Sequence, residues 1–279
     1  MRNPYLPMPA TVADVTVEND AKDIKTFTLT FDREEDLAAF DYLPGQFAEL
    51  SLFGRGESPI GIASSPTEKG RLLFSVKRVG VVTSELHASP VGAGMGVRGP
   101  LGHPFPWERL EGRNILIVSG GFAFTTLRSA ITYLLDPANR PRFGAITAVY
   151  GVREPGELLY KPALKQWEAS KDIDFTTTID RPREGWNGRV GLVPVVVKEA
   201  GPSADNAVAL VCGPPIMIKF TIPVLVELGF AKEDIVLSLE NRMKCGIGKC
   251  GRCNVGARYV CLDGPVFTWA QLEKLPAEY

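Results

Sequence analysis

The sequence predicts a small antiparallel β-barrel, a doubly wound α/β domain and a short cysteine-rich module, in that order along the chain. Short alternating segments bounded by turns fill the first third, which is typical of a barrel. From about Arg113, buried apolar runs alternate with stretches of helical length, which indicates a parallel sheet covered by helices. Four of the 5 cysteines then lie between Cys245 and Cys261. The predicted domains are residues 1–111, 112–240 and 241–279.

The composition excludes several classes of protein. The 279 residues carry 31 basic and 32 acidic side chains, a formal net charge of −1, so the chain lacks the basic surplus typical of nucleic-acid binding. No apolar run approaches the roughly 20 residues of a membrane span. The start of the sequence also lacks the pattern of a secretory signal. We therefore expect a cytosolic protein.

The elements follow from hydrophobic periodicity. Barrel strands are expected over residues 11–17, 24–30, 46–52 and 72–76. In the second domain the runs ILIVSGG, ITAVYGV, IDFTTTI and VALVCGPP, with residues 235–239, are the predicted strands. Helices are predicted over residues 126–135 and 215–228, the latter with proline near its first position and Gly229 at its end. The remaining C-terminal segment is too short to form a stable hydrophobic core without an additional cross-link such as a bound metal.

The cysteine spacing is the main chemical signal. Cys245, Cys250, Cys253 and Cys261 form the pattern C-x4-C-x2-C-x7-C, and its first part is a spacing known for [2Fe-2S] ligation. Interleaved glycines allow a tight loop whose backbone N–H groups point at the sulfurs. A structural zinc site is the alternative, although zinc modules usually have two short C-x2–4-C motifs that are separated by a longer segment of chain. Cys212 lies on a different element and is not expected to be a ligand.

The run MKCGIGKCGRCNVG, followed by YVCLDGPVF, resembles the C-terminus of the gamma, or diaphorase, subunits of cytosolic NiFe hydrogenases. These belong to the ferredoxin-NADP reductase superfamily. The chain is also similar to the electron-transfer subunits of dihydroorotate dehydrogenase and of anaerobic sulfite reductase. The resemblance implies an FAD-binding barrel (1–111), an NAD(P)-binding α/β domain (112–240) and a [2Fe-2S] module (241–279).

The resemblance places FAD on two barrel segments. Residues 44–47, P-G-Q-F, resemble the turn that precedes the flavin loop, and residues 57–66 resemble that loop. Gly61 stands where the family has a hydroxyl residue near the reactive flavin nitrogen, so a backbone N–H must replace that hydrogen bond or it is missing. A serine- and proline-rich surface loop is the alternative. The expected contacts in this loop are Glu57, Ser58, Pro59, Ile60, Gly61, Ile62 and Ser64.

A second segment of the barrel fits a pyrophosphate. Residues 80–84 read G-V-V-T-S at a predicted helix start, where peptide N–H groups and the helix dipole favour an anion. Residues 99–102, G-P-L-G, resemble the loop that ends the family's flavin domain. An ordinary capped helix is the alternative. The expected FAD contacts here are Gly80, Val82, Thr83 and Ser84.

The nicotinamide site is expected at the first strand-to-helix turn of the second domain. Gly120 and Gly121 match the family's glycine-rich turn, but Ala123 replaces a glycine and Thr126 a proline. These departures place a methyl group where a pyrophosphate would approach the backbone. A helix N-terminus without a ligand is the alternative.

A later strand ends in the family's C-G-P-P-x-M motif, at the sheet edge that faces the ligand crevice of open α/β sheets. The resemblance places Cys212 beside the nicotinamide and flavin rings, as the catalytic residue, with Gly213 and Pro214 against the nucleotide. A buried structural cysteine is the alternative. Arg153 and Asp180 are expected near the adenosine, and the lack of a clustered basic pair favours NAD over NADP.

Together these motifs predict a flavin and iron-sulfur electron-transfer subunit of a multisubunit redox complex. It would exchange hydride between NAD(P)H and FAD, and single electrons between FAD, a [2Fe-2S] cluster and a partner. Family likeness suggests a hydrogenase or a heterodisulfide-reductase-type partner. Two alternatives remain: a flavin and [2Fe-2S] relay that uses no nicotinamide, and a zinc-stapled structural subunit.

Overall fold

The computed structural model describes residues 3–276, so that residues 1–2 and 277–279, the ends of the first and third predicted domains, lie outside the described residues. The chain divides into two compact units. The first comprises the described residues up to Phe105, residues 128–132 and Leu239–Val266, and the second comprises the remaining described residues. The cysteine-rich segment therefore belongs to the same unit as the N-terminal sheet.

Alternating apolar residues in the first third form an antiparallel sheet. Its strands are β1 (Met8–Val17), β2 (Ile24–Phe31), β3 (Phe47–Leu52), β4 (Gly56–Gly61), β5 (Leu72–Lys77) and β6 (Gly94–Leu101). They lie in the order β4-β3-β6-β1-β2-β5. A bridge between Ile62 and Phe74 joins the two edges, so that the sheet closes into the predicted barrel. Two short helices accompany it, α1 (Glu34–Ala39) and α2 (Val81–Ala88).

The inward-facing residues of the barrel form one core. Phe27, Leu29, Phe74 and Val97 are fully buried there, and Ala48 and Leu50 contribute from β3. The four strands predicted from alternation are confirmed, with bounds that differ by up to three residues. One expectation is corrected: residues 57–61 of the predicted flavin loop lie in β4, because this segment pairs with β3 from Gly56 to Gly61.

The second unit is the predicted parallel sheet. Its strands are β7 (Asn114–Gly120), β8 (Ile146–Val152), β9 (Asp174–Ile179), β10 (Arg189–Val190), β11 (Ala207–Cys212) and β12 (Ile235–Ser238). The order is β10-β9-β8-β7-β11-β12, with a further strand, β15 (Val266–Thr268), at the edge. The central strands β7 and β11 are buried almost throughout, as expected for parallel strands covered on both faces.

Helices precede and connect the strands of this sheet. They are α3 (Trp107–Leu110), α4 (Phe124–Leu135), α5 (Lys161–Glu168), α6 (Val193–Ala200) and α7 (Pro215–Glu227). The predicted helices over 126–135 and 215–228 correspond to α4 and α7. Phe124 at the start of α4 stacks on Tyr150 of β8, with ring centroids 3.8 Å apart. Within residues 3–276, no helix combines the length and the apolar character that a membrane crossing requires.

The cysteine-rich segment is mostly irregular. Residues 239–253 form no helix or strand. A two-stranded ladder follows, β13 (Asn254–Val255) and β14 (Arg258–Tyr259), then α8 (Val260–Asp263), and α9 (Trp269–Leu272) comes after β15. Thr268 caps α9 by accepting a hydrogen bond from the Gln271 N–H at 3.2 Å. Few backbone hydrogen bonds therefore hold the loop that carries three of the cysteines.

Candidate functional site

The cysteine-rich segment brings together the four cysteines predicted to bind a cluster: three lie in the irregular loop and Cys261 lies on α8. Backbone N–H groups donate to their sulfurs: Gly248 to Cys261 and Lys249 to Cys245, both at 3.2 Å, and Cys250 to Cys245 at 3.4 Å. The Cys261 N–H lies 3.5 Å from the Cys253 sulfur. Such N–H···S contacts stabilise thiolate charge, as a cluster ligand set requires.

The four thiols form two adjacent pairs, Cys245 with Cys250 and Cys253 with Cys261. Burial acts to raise the pKa of the Cys245 thiol, but the N–H groups of Ile247, Cys250 and Lys249 outweigh it and lower this pKa to about 7. Burial raises the pKa of Cys261. Two thiolate pairs are the donor set that the two irons of a [2Fe-2S] cluster take, so these residues fit that group. Within residues 3–276, no three His, Cys, Asp or Glu side chains are grouped around a single-ion site.

Two glycines that follow predicted ligand cysteines have different surroundings. Gly246 and Gly251 have φ of +68° and +72°, a region that other residues rarely adopt. A Cβ on Gly246 would lie 2.6 Å from Cδ1 of Leu101 and 3.2 Å from Oε1 of Glu49, whereas a Cβ on Gly251 would meet nothing within 4 Å. The cysteine loop therefore packs against barrel strands β6 and β3 at Gly246.

We expect Gly246→Ala to lower cluster retention more than Gly251→Ala. Both substitutions place a side chain in the left-handed region, at a cost of about 1–2 kcal/mol. Only Gly246→Ala also forces Leu101 to move, which adds about 1–3 kcal/mol for overpacking. Iron per chain after reconstitution, and the melting temperature, measure the difference. Equal losses in the two variants would contradict the packing at Gly246.

Beside Gly246 lies a buried carboxyl group that the sequence analysis does not identify. Glu49 on β3 is fully buried, and neither of its oxygens has a hydrogen-bond partner among the described residues. Its cross-strand neighbour Arg98 pairs instead with Glu57, at 2.9 Å. Burial raises the pKa of Glu49 to about 8, with Arg98 opposing the rise and Glu57 and Cys245 adding to it. The Glu49 side chain is therefore a neutral acid at pH 7.

Glu49 predicts a specific pH dependence of stability. Its folded pKa of about 8 exceeds the ordinary value of 4.5, so the folded state holds one more proton than the unfolded state between these values. The contribution of this group is complete below about pH 4.5 and is lost as the pH rises to 8. It amounts to a few kcal/mol at about 1.4 kcal/mol per pKa unit.

Glu49→Gln, which stays neutral, should therefore be more stable than the parent at pH 8 and should lose less stability between pH 5 and pH 8. Denaturant unfolding at several pH values measures this, with the exposed Glu34→Gln as the control. Parallel profiles for the parent and Glu49→Gln would show that Glu49 is ionised in the folded protein.

The predicted flavin segment is fixed at its C-terminal end. The Ser64 hydroxyl lies 2.9 Å from the Tyr42 hydroxyl and accepts a hydrogen bond from the Leu73 N–H at 3.0 Å. The Ser65 N–H donates to the Glu68 carboxylate at 2.8 Å. Glu68 in turn pairs with both terminal nitrogens of Arg128, at 2.6 and 2.9 Å. The segment that would contact FAD is therefore preorganised.

The residues predicted to contact FAD lie close together. A Cβ on Gly56, at the start of β4, would lie 3.6 Å from Cγ2 of Val82, so the N-terminus of α2 is next to the Glu57–Ser64 segment. The Thr83 hydroxyl accepts hydrogen bonds from the N–H groups of Val79 (3.0 Å) and Gly80 (2.9 Å) and donates one to the Gly80 carbonyl at 3.1 Å, so it caps its own helix. Contact of Thr83 with FAD stays a prediction. The Glu57 carboxylate pairs with Arg98. The first N–H groups of α2 have no carbonyl partner within the helix, so they are the donors left for a phosphate.

In the second unit, the turn after β7 and the turn after β11 meet at Met217. A Cβ on Gly120 would lie 2.5 Å from Sδ of Met217, and one on Gly213 would lie 2.2 Å from its Cε. A side chain at either glycine would therefore displace the end of the Met217 side chain, which packs against both turns, and Pro214 lies beside Gly120 at 3.3 Å from the same Cβ position. The two predicted nicotinamide motifs thus form one surface.

The remaining predicted residues surround this surface. A Cβ on Gly121 would meet open space. Ala123 has φ −63°, a conformation open to every residue, and both Ala123 and Thr126 are half-buried. The Cys212 thiol is buried and donates to the carbonyl of Ser238 at 3.5 Å, which also fits the structural alternative.

Arg153 and Asp180 lie near the end of the sheet where these turns emerge. Arg153 is exposed and pairs with Glu157. Burial, with the nearby Glu157 carboxylate, raises the pKa of Asp180. Contact of these residues, and of Cys212, Ala123 and Thr126, with a nicotinamide nucleotide stays a prediction.

Sequence reasoning missed the supporting residues. Met217 was visible in the C-G-P-P-x-M motif, and its packing role could have been inferred from the glycines around it. Glu49 is the only charged residue in β3, which was a usable signal. No sequence pattern indicated the pairs of Arg98 with Glu57 and of Arg128 with Glu68, because their members lie 41 and 60 positions apart.

Comparison with known families assigns the three parts of the chain. Residues 13–105 match a family model described as an oxidoreductase FAD-binding domain. Residues 117–222 match an oxidoreductase NAD-binding domain. Residues 240–273 match the iron-sulfur cluster binding domain of dihydroorotate dehydrogenase B.

Similar proteins cover nearly the whole chain. Sulfhydrogenase 1 subunit gamma of Pyrococcus furiosus is 37% identical, over 90% of this chain and 88% of the relative. A probable dihydroorotate dehydrogenase B (NAD(+)) electron transfer subunit of Thermococcus kodakarensis is 34% identical, over 92% and 97%. A chain of the NADH-dependent reduced ferredoxin-NADP oxidoreductase structure is 26% identical, with a TM-score of 0.73 over 100% of this chain and 95% of that one.

The FAD-binding barrel, the NAD-binding sheet and the iron-sulfur module define a flavin-dependent oxidoreductase of the ferredoxin-NADP reductase type. Within that class the chain belongs to the family of flavin and iron-sulfur electron-transfer subunits that includes the sulfhydrogenase gamma subunits and the dihydroorotate dehydrogenase B electron transfer subunits. The family resemblance seen in the sequence is thereby confirmed.

Proposed function

We propose that this chain is a diaphorase-type subunit that exchanges hydride between NAD(P)H and FAD, and single electrons between FAD, a [2Fe-2S] cluster and a partner subunit. The observation that carries the proposal is the grouping of the flavin segment and the cysteine loop in one compact unit. Gly246 packs on the barrel at Leu101 and Glu49. A flavin accepts two electrons from a hydride and releases them singly, which is the chemistry that such a chain of cofactors supplies.

The residues divide into three roles. The N–H groups at the start of α2 and the Glu57–Ser64 segment would hold FAD, and the surface around Gly120, Gly121 and Gly213 would hold the nicotinamide nucleotide. Cys245, Cys250, Cys253 and Cys261 would hold the cluster. None of these steps needs a side-chain acid or base, because hydride transfer is the cofactors' own chemistry and the protein supplies positioning.

The names of the relatives support a partner subunit. They are subunits of a sulfhydrogenase and of dihydroorotate dehydrogenase B, so we propose a redox partner subunit of the hydrogenase type. A partner of the heterodisulfide-reductase type, which the family resemblance suggests, is the other candidate. We also propose a cytoplasmic location, where thiols stay reduced and available to iron.

An electron relay without a nicotinamide is the second candidate. It is favoured by Ala123 and Thr126, which depart from the family's turn, and by Gly61, which lacks the hydroxyl group expected near the flavin nitrogen. Ala123 has a φ of −63°, so its backbone conformation is not one that is restricted to glycine. The intact packing of Gly120 and Gly213 on Met217 favours the first candidate.

Anaerobic titration tests the proposal. We expect NADH, more effectively than NADPH, to bleach the flavin of the purified protein, and we expect the cofactor released by heating to be FAD. Iron and acid-labile sulfide should each be present at about two per chain, as a [2Fe-2S] cluster requires. Flavin that stays oxidised at millimolar NADH and NADPH would favour the relay, whereas zinc without iron would favour the structural subunit.

A further inference from the structure

The cysteine-rich segment carries an excess of positive charge. Residues 241–263 contain five basic residues and one acidic residue, whereas the rest of the chain contains 26 and 31. Arg258 pairs with Asp263 at 2.8 Å. The other four basic residues are exposed, and none forms an ion pair within the part of the chain that the structure describes. This basic rim consists of Arg242, Lys244, Lys249 and Arg252.

The four cysteines differ in their exposure. Cys253 and Cys261 are 1% and 2% exposed, whereas Cys250 is exposed. Lys249 and Arg252 flank Cys250 along the chain. Leu262 is 52% exposed and lies against Gly248, where a Cβ would come within 2.8 Å of its Cδ2. Solvent therefore reaches the ligand set at Cys250, and that ligand lies among positive charges.

We propose that the basic rim, with Leu262, is the docking face for a redox protein that presents acidic side chains, and that electrons leave the cluster at the Cys250 edge. This inference rests on the proposed function. Two observations support it independently: the exposure of Cys250, and four exposed cations without an ion pair among the described residues, all on the segment that carries Cys250, in a chain whose remainder is acidic. Complementary charge accelerates association and orients the two proteins.

The basic rim has a competing explanation, because it could serve only to balance the negative charge of the thiolates. The N–H groups of Gly248, Lys249 and Cys250 already donate to the sulfurs. Exposed side chains act on the thiolates through water, which screens them strongly. A balancing role would shift the midpoint potential of the cluster on charge reversal, whereas a docking role would leave the potential nearly unchanged and alter association.

The experiment uses the holoprotein, reduced chemically with dithionite and desalted, so that its outcome does not depend on NADH. The reduced cluster then transfers one electron to the acceptor. One Fe(II) of the cluster becomes Fe(III), and the metal ion of the acceptor is reduced by one oxidation state. The acceptors are the anion ferricyanide and the cation hexaammineruthenium(III). Rapid-freeze paramagnetic resonance follows the cluster signal itself. The variants are Lys249→Glu/Arg252→Glu and, as a control on an exposed cation of the second unit, Lys171→Glu.

We expect the double reversal to slow oxidation by ferricyanide about tenfold at low salt and to speed oxidation by hexaammineruthenium(III). Both effects should vanish at high salt, and Lys171→Glu should match the parent. Calorimetric binding of an acidic plant-type ferredoxin, used as a protein probe, should weaken in the same variant by about tenfold at low salt, with the cluster potential preserved.

Three results would overturn the proposal. The first is that the double substitution changes the oxidation rates with ferricyanide and with hexaammineruthenium(III) in the same way. The second is that it leaves ferredoxin binding unchanged. The third is a shift in the midpoint potential of the cluster large enough to account for the altered rates. Failure of NADH to reduce the flavin would contradict the proposed nicotinamide function alone, because the acceptor measurements begin from a chemically reduced cluster.

Discussion

Serine substitution of Cys245, Cys250, Cys253 or Cys261 is expected to abolish or strongly perturb the paramagnetic signal of the cluster, and Cys212→Ser is expected to preserve it. Each of the four thiols belongs to one of two adjacent pairs, so removing one leaves an iron without its complete ligand set. Cys212 lies at the end of β11 in the second unit, with its thiol directed at the Ser238 carbonyl. We therefore expect each of the four variants to lose most of the cluster signal and Cys212→Ser to lose almost none of it.

Iron content and the paramagnetic spectrum of each reduced variant measure this expectation. Flavin content serves as the folding control, because a variant that retains FAD has a folded barrel. A Cys212→Ser protein that keeps FAD but loses the cluster signal would disprove the ligand assignment. A Cys250→Ser protein with an unchanged spectrum would do so as well.

Arg128→Met is expected to destabilise the first unit by about 3–5 kcal/mol, the usual cost of removing one partner of a buried ion pair. Both side chains of the Arg128–Glu68 pair are 12% exposed, and Arg128 also donates to the carbonyl of Ala63 at 2.9 Å. Burial alone would raise the pKa of Glu68, but its bonds to Arg128 and the positive charge there lower it. The substitution leaves a buried carboxylate without its counterion.

The pH dependence follows from the lowered pKa of Glu68. A group with a depressed folded pKa contributes stability above its unfolded pKa and loses it as the pH falls through the folded value. The free energy of unfolding of the parent should therefore decline as the pH falls into the acid range. The Arg128→Met variant should lack this part of the pH dependence. Glu68→Gln in the Arg128→Met background should restore part of the stability, since the carboxylate is gone.

Arg142→Met is the matched control for Arg128→Met. Arg142 pairs with Glu111 at the surface, where the side chains are 38% and 48% exposed, so the loss should stay below about 1 kcal/mol. Denaturant unfolding of both variants, with flavin retention as a second measurement, provides the comparison. Equal losses would show that burial of the Arg128–Glu68 pair has no energetic consequence.

The class of fold could be predicted because each domain has its own periodicity. Alternation over residues 24–30 and 72–76 requires a strand with one buried face, and apolar runs such as ILIVSGG require a strand buried on both faces. Strand bounds were less certain, since β1 begins at Met8, three residues before the alternation is visible. Residues 57–66 are expected to form a loop because they resemble the family's flavin loop, but residues 57–61 pair with β3 and form β4.

The sequence by itself determined the cysteine ligand pattern, the order of the domains and the glycine-rich turns, because these depend on residue type and spacing along the chain. Only the tertiary structure decided which groups are buried and paired. Glu49 and Arg98 face each other across two strands, yet Arg98 bonds to Glu57 and leaves Glu49 neutral. Cys250 is the exposed thiol among four similar ones. Burial and pairing depend on contacts between distant segments, and the local sequence does not encode those contacts.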